Sequence, residues 1–469
     1  MNGKSFILAV LLGCYGGAQA QTAATPQPQP QPQPQDYVDL WKLYQDSAVS
    51  DPRIRGAEAQ VKNLEGQERA AFGQVLPQLS GGASTSKVRR EEGLQTLNYN
   101  GESYNLTLSQ ALYNAAAWRG FKRYEQLTEQ YRAQYEDAKT QSAADLVQRY
   151  FAALAAEDTL ELVTAERKAT QRNLDRAQAL FDKQMSTVTD VLQISAKVDS
   201  LKTQEIEARN QIQVTREALG ELIGRPVYQP LKRLNEKAQL AMPQGDEEQW
   251  VNSAVANNPA LEAKQRAVDA ANYGISEAKA GHLPTLSFNL GAQRSDFAYD
   301  NVIASSAINT YSATISVQIP FYSGGSTSAR VASSYGSRDA AEQEYESIRR
   351  QVVKETRTAY MKSAADLAKI GSSRNALDSA IKSRAASERS LSLGVATAVD
   401  VLNAVQQEYS ARRDYLQAQY DFVTNQLVLL RWSGGFRDTD IQKINSWLAV
   451  PTPGEERKTG VKEGEVAKG

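Results

Sequence analysis

The chain has 469 residues, with 53 basic against 54 acidic side chains, a formal net charge of -1, one cysteine and one histidine. That length is more than one compact core usually holds, and the balanced charge argues against a nucleic-acid binder, which carries a basic excess. Cys14 and His282 alone supply no disulfide framework, zinc site or Cys-His pair in the mature chain, so neither catalysis nor a cofactor or metal is expected.

The chain opens like an exported protein. Lys4 gives a positive start, Phe6 to Leu12 a short apolar stretch, and Ala18-Gln19-Ala20 a small-x-small cleavage site, so residues 1–20 read as a signal peptide. A competing reading takes Leu11-Leu12-Gly13-Cys14 as a loose lipoprotein box, which would acylate Cys14. No later window holds the run of about 18 apolar residues that a membrane-crossing helix needs. The only spanning structure left is a closed β-barrel. Residues 21–35, rich in proline and glutamine, read as an extended, solvated, disordered arm.

Between this arm and a polar tail at 451–469 the chain repeats itself. Leu76-Pro77-Gln78-Leu79-Ser80 returns as Leu283-Pro284-Thr285-Leu286-Ser287, and Asp51-Pro52 as Asn258-Pro259, both 207 positions on. Thr187-Val188-Thr189-Asp190-Val191-Leu192 returns as Thr397-Ala398-Val399-Asp400-Val401-Leu402, and Gly224 as Gly434, both 210 positions on. The fold is therefore expected to be two copies of one large unit, not a solenoid with a period of tens of residues.

Each copy begins with strands. The pattern predicts strands at about 79–88, 102–113, 285–297 and 309–322. The clearest alternates Tyr311, Ala313, Ile315 and Val317 with Ser312, Thr314, Ser316 and Gln318. Period-two alternation sets one face against an apolar medium and the other against water. A half-buried soluble sheet would alternate in the same way. The set of four, with Tyr113, Phe321 and Tyr322 at strand ends as membrane-interface aromatics, suits an outer-membrane barrel. Four strands cannot close one, since single-chain bacterial barrels start at about eight, so several chains must share it; three would give twelve strands.

Long helices follow each strand pair. No proline lies between Pro77 and Pro226, or between Pro320 and Pro451. Proline breaks a helix interior, so stretches 115–184 and 323–391 are free to run unbroken for roughly 100 Å. Val191, Ile194, Val198 and Leu201 in one helix, and Leu402, Val405, Tyr409, Arg412, Leu416, Tyr420, Val423, Leu427 and Leu430 in another, recur at coiled-coil steps of three and four. These stripes read as packing seams with no ligand role. His282, in Gly281-His282-Leu283-Pro284, reads as a loop residue.

Taken in order, these residues resemble the TolC-like outer-membrane efflux and type I secretion family over roughly 36–450. The likeness rests on the duplication, the Leu-Pro-x-Leu-Ser strand openers, the strand exits Leu112-Tyr113-Asn114 and Phe321-Tyr322-Ser323-Gly324-Gly325, and the two Thr-x-x-Asp-Val-Leu turns. Asn114 to Arg119 looks more like the type I secretion branch than the lipidated drug-efflux branch. The resemblance implies an α+β chain that forms a homotrimer, with a 12-stranded transmembrane barrel in the cell outer membrane, a coiled-coil helical tunnel through the periplasm and an equatorial belt. The repeats would span 36–224 and 258–434, with 225–257 and 435–450 in the belt. Expected partners are a periplasmic adaptor and an inner-membrane ABC or other transporter. Energy would come from the transporter, since this chain has no Gly-x-x-x-x-Gly-Lys-Ser/Thr phosphate-binding loop.

The same resemblance makes the turns a periplasmic gate. Asp190 and Asp400 match the family's pore-mouth aspartates, with Thr187, Thr397 and Asn403 beside them. A ring of like carboxylates favours cations and should raise some of their pKa values. The alternative for each Asp is a helix cap, and for each Thr a cap or turn residue. Ala396 stands where the best-known pattern has a gate arginine, Leu391 where it has a tyrosine, and Asn403 where it has a second aspartate. Two rival readings remain: an exported coiled-coil scaffold or adaptor, and an enzyme built on a carboxylate pair.

Overall fold

The computed structural model describes residues 37–93, 95–235, 238–299 and 306–451. The expected signal peptide with Cys14, the arm at 21–35 and the tail from 452 on lie outside them.

The repeated dipeptides turn out to be helix starts. Helix α1 (Leu40–Ser50) ends at Asp51, whose side chain caps α2 (Pro52–Gly73) by accepting the Arg53 amide at 2.8 Å. Pro52 takes the first helical position, where its missing N–H costs nothing. Strand β1 (Gln78–Glu92) turns at Gly93 into β2 (Gln95–Tyr113). Asn114 then caps α3 (Ala115–Asp182), which leads to α4 (Val188–Ile223) and a left-handed stop at Gly224. A two-residue strand β3 (Arg233–Leu234) links the halves.

The second half is built the same way. Helix α5 (Glu247–Asn257) ends at Asn258, which caps α6 (Pro259–Ala280) through the Leu261 amide at 3.1 Å. Strands β4 (Thr285–Tyr299) and β5 (Ser306–Gln318) follow, then α7 (Ser326–Ser392) and α8 (Ala398–Trp432). Helix α9 (Asp438–Ser446) and strand β6 (Leu448–Ala449) close the described chain. The helix lengths pair as 11 with 11, 22 with 22, 68 with 67 and 36 with 35 residues, which marks a duplication of whole elements.

Both hairpins run longer toward their turns than expected, and the last strand ends earlier. The first hairpin runs on through Arg89, Arg90, Glu91 and Glu92, where backbone pairing continues although the apolar alternation has stopped. Strand β5 ends at Gln318, not 322, because Pro320 has no N–H for the ladder. Phe321 and Tyr322 therefore lie beyond the strand, 91% and 88% exposed. The chain turns from there into α7 through Gly324 and Gly325 at φ 63° and 78°, a pair of left-handed positions that only glycine takes without strain.

The four long strands form one antiparallel sheet in the order β1-β2-β4-β5. Its register separates two chemistries. One face carries rows such as Leu79–Leu108–Leu290–Ala313 and Gly81–Leu106–Ala292–Tyr311. The other carries Ser80–Thr107–Gly291–Ser312 and Gly82–Asn105–Gln293–Thr310. The outer edges of β1 and β5 have no partner among the described residues.

Helix order repeats this plan. Above, α2, α3, α6 and α7 stand side by side; below, the order is α4, α3, α8 and α7. The main core lies between, where α1, the middle of α3, the ends of α4 and α8, α9, β3 and β6 converge. Tyr150, Phe151 and Phe422 are fully buried there, each side chain worth roughly 1.5–3 kcal/mol of burial. Phe151 packs on Tyr150 at 5.7 Å and on Tyr420 at 5.4 Å between ring centroids, tying α3 to α8. No helix among the described residues is long and apolar enough to cross a membrane.

Candidate functional site

The two Thr-x-x-Asp turns join α3 to α4 and α7 to α8, at the end of the bundle remote from the sheet. Each begins α4 or α8 with a reciprocal capping box. Thr397 Oγ1 accepts the Asp400 amide at 3.1 Å, while Asp400 Oδ2 accepts the Thr397 amide at 2.8 Å and its hydroxyl at 2.7 Å. In the first turn Thr187 Oγ1 accepts the Asp190 amide at 3.2 Å, and Asp190 Oδ2 receives Ser186 Oγ at 3.2 Å and the Thr187 amide at 3.5 Å. Thr187 and Thr397 are thus the N-caps, and each aspartate is the third residue of the helix that answers its cap.

This box changes the electrostatics expected of the mouth. Within one chain the Thr397 amide, then its hydroxyl, hold the Asp400 carboxyl below the usual carboxylate range, an effect separate from any repulsion between chains. Hydrogen bonds to the charged form favour it. Asp400 is exposed and Asp190 half-exposed, so both side chains lie at the surface of the bundle end.

The neighbouring positions divide. Asn403, one turn into α8, is exposed and lines a polar groove with Ala380 of α7 and with Gln407 and Ser410. Leu391 packs with Ala169, Val401 and Val405, so the position where the resemblance expects a polar aromatic does apolar work. The start of α8 is tied to α3 by Asn173, whose amide donates to the Ala398 carbonyl at 2.8 Å in a buried position. His282 is exposed in the turn before β4, as a loop residue.

The sheet is the second part of the site. On its apolar face Leu79, Ile315 and Tyr311 are 68%, 66% and 81% exposed, so nothing among the described residues covers them. A contiguous uncovered apolar surface marks a contact with lipid or protein. Tyr113 ends β2 at 47% exposure. Sequence reasoning missed an aromatic cluster beside it: Phe72 of α2 packs on Phe121 of α3 at 5.2 Å, and Trp118 on Phe121 at 6.1 Å. Trp118 and Phe121 fall on one helix face by their spacing of three, a signal that was readable. Phe72 comes from a distant segment and was not.

Comparison with known proteins decides the family. The model for outer membrane efflux proteins matches residues 43–225 and 250–435, from α1 to the end of the first repeat and from α5 to the end of the second.

The chain belongs to the outer membrane efflux protein family.

Among curated relatives of this family, it is similar to the outer membrane protein TolC of Vibrio cholerae, with 27% identity over 415 residues, covering 88% of this chain and 94% of that one. The alkaline protease secretion protein AprF of Pseudomonas aeruginosa is also 27% identical, covering 88% of each. Among solved structures, the outer membrane protein VceC of Vibrio cholerae superposes with a TM-score of 0.74 at 17% identity, covering 86% of this chain and 98% of that one. That likeness is one of fold.

Proposed function

We propose that this efflux-family chain is the outer-membrane channel of a tripartite export system, a passive duct that carries out no reaction. The observation that carries it is the sheet: an uncovered apolar face, a polar face behind it and two free edges. Water-filled membrane barrels need that separation, apolar outward and polar inward. Because the sheet is antiparallel with an even number of strands, β5 of one copy meets β1 of the next in antiparallel order. Three copies then close a barrel of twelve strands, and the helical rows, also open at both sides, close below it. We assign the apolar face to outer-membrane lipid, with Tyr113, Phe321, Tyr322 and the Phe72–Trp118–Phe121 cluster at its periplasmic border.

The tips become the periplasmic mouth, with Asp190 and Asp400 from each chain around it and Thr187, Thr397 and Asn403 behind them. A periplasmic adaptor and an inner-membrane ABC or other transporter are the expected partners, and no nucleic acid is. The relatives point toward protein secretion, since AprF is named for secreting a protease.

Single-channel recording of the detergent-purified protein in planar bilayers tests the assignment. Discrete cation-selective steps from a stable trimer are expected. A monomer that gives no steps would overturn it in favour of an exported coiled-coil scaffold.

A further inference from the structure

The seam between α7 and α8 buries one charge. Glu408, in the third turn of α8, is 2% exposed. Its spacing places it on the same helix row as Val401, Val405 and Arg412. Val401 and Val405 are buried there against Leu391 of α7 and Ala169 of α3. The Glu408 carboxylate is ion-paired with Arg384 of α7 and receives Arg412 Nη2 at 2.7 Å. Arg384 also reaches Glu388 at 3.3 Å, and the Arg412 guanidinium lies over the Tyr409 ring at 5.6 Å. Arg384 Nε and Glu408 Oε2 form no aligned hydrogen bond among the described residues, so charge carries this contact between the helices.

The first repeat shows that the fold does not require this arrangement. At the corresponding positions, 210 residues earlier, Leu174 stands for Arg384 and Val198 for Glu408. Val198 is 2% exposed, and Leu174 packs in the apolar cluster that Ala177 and Ile194 share with Ala398 and Leu402 of α8. That seam carries a different pair, the buried Glu166 of α3 with the part-exposed Lys197 of α4 at 3.4 Å. Burying an ion group costs desolvation that a hydrophobic pair avoids, and the best-attested return is register between helices.

We propose that Glu408 is a positioning residue for the second tip. Paired with Arg384 and Arg412, it locks the register of α8 on α7, so that the two helices carry the turn at 393–397 as one unit and Asp400 is delivered to the mouth at a fixed height. This rests on the channel reading above. The first tip has its own pair and meets the start of α8 through an apolar cluster and the Asn173–Ala398 bond, contacts that do not include the lock.

Amide hydrogen exchange on the intact protein, alongside planar-bilayer recording, tests it. Glu408→Gln leaves the part-exposed Arg384 and Arg412 guanidinium groups without the buried carboxylate that joins them. Exchange across 393–405 should then quicken by at least about tenfold while 183–195 stays unchanged, because local opening follows local stability. The mean open conductance should shift with it. The double variant Arg384→Leu with Glu408→Val copies the residues of the first repeat and should restore slow exchange. Unchanged exchange in Glu408→Gln, or equal acceleration at both tips, overturns the lock even where the wild type conducts. A wild-type protein that never conducts, yet shows the selective acceleration, sinks the channel reading and leaves the lock standing.

Discussion

Gln184 and Gly394 hold the same place in the two tip turns, 210 positions apart, and both are left-handed, with φ of 58° and 76°. In each turn the next amide folds back onto the helix end: Met185 to the Leu180 carbonyl at 2.9 Å, and Val395 to that of Ser390 at 3.0 Å. The backbone geometry is thus shared, while only the second turn has the residue that suits it.

A non-glycine residue in this conformation costs about 1–2 kcal/mol. Gln184→Gly should stabilise the first turn by up to about 1 kcal/mol, part of the gain being lost to chain entropy. Gly394→Gln should destabilise the second by about 1–2 kcal/mol. Limited proteolysis at the tips reads both: the first variant should resist cleavage near 184, and the second should be cut faster near 394. Equal cleavage in all three proteins would mean the turns tolerate either residue.

The capping box makes the second tip acid-sensitive. The Asp400 carboxyl lies below its unfolded range because Thr397 bonds its charged form. A depressed folded pKa contributes stability that is present above the unfolded value, about 3.9, and is lost as pH falls through the folded one. Exchange of the first-turn amides of α8, corrected for its intrinsic pH dependence, should be level down to about pH 5 and accelerate below about pH 4. Thr397→Val removes the hydroxyl and should lift the neutral-pH rate, which then rises less with acid. A wild-type profile that stays flat into strong acid would show that the box is not formed.

Charge at the mouth is a separate question from capping. Asp400→Asn keeps a hydrogen-bond acceptor for the Thr397 amide while removing the charge. With Asp190→Asn it should lower cation preference in planar bilayers without unfolding either tip, because a ring of like charge sets selectivity. Retention of the full cation preference would move the selectivity filter elsewhere in the duct.

The two faces of the sheet should respond oppositely to charge. Ile315→Arg sets a cation on the apolar face two residues in from the level of Tyr113, and should cost more than the about 0–1 kcal/mol of an interface position but less than the about 2–4 kcal/mol of the midplane. Thr314→Arg, one residue away on the polar face, should leave trimer heat resistance intact and reduce conductance. Gel mobility of unheated trimers and bilayer recording separate these outcomes. If Thr314→Arg abolished assembly and Ile315→Arg did not, the assignment of the faces would be reversed.

Asp51 is 1% exposed and serves three donors: the Arg53 amide at 2.8 Å, the Arg53 guanidinium at 2.9 Å and Ser142 Oγ at 2.5 Å. Asp51→Ala removes the cap of α2 and leaves a buried hydroxyl unpaired, an expected loss of about 2–4 kcal/mol. Asp51→Asn should recover part of it. The midpoint of thermal unfolding in detergent measures both.

The sequence by itself determined the local plan. Asp51-Pro52 and Asn258-Pro259 write cap-and-proline helix starts, the two Thr-x-x-Asp boxes write another pair, and Gly224 and Gly434 write left-handed stops. The alternation at 311–317 fixed which side chains share a face, since successive residues of a strand point to opposite sides. All of these signals act within a few residues. The tertiary structure decided the rest. The charged ends of the first hairpin join the sheet because backbone pairing does not need apolar side chains. Phe72 meets Phe121, Asn173 meets the Ala398 carbonyl, and Arg384 meets Glu408 only because helices distant in sequence are laid side by side. Periodicity tells a helix which face to bury, but not which partner will cover it, and that choice is made by the packing of the whole chain.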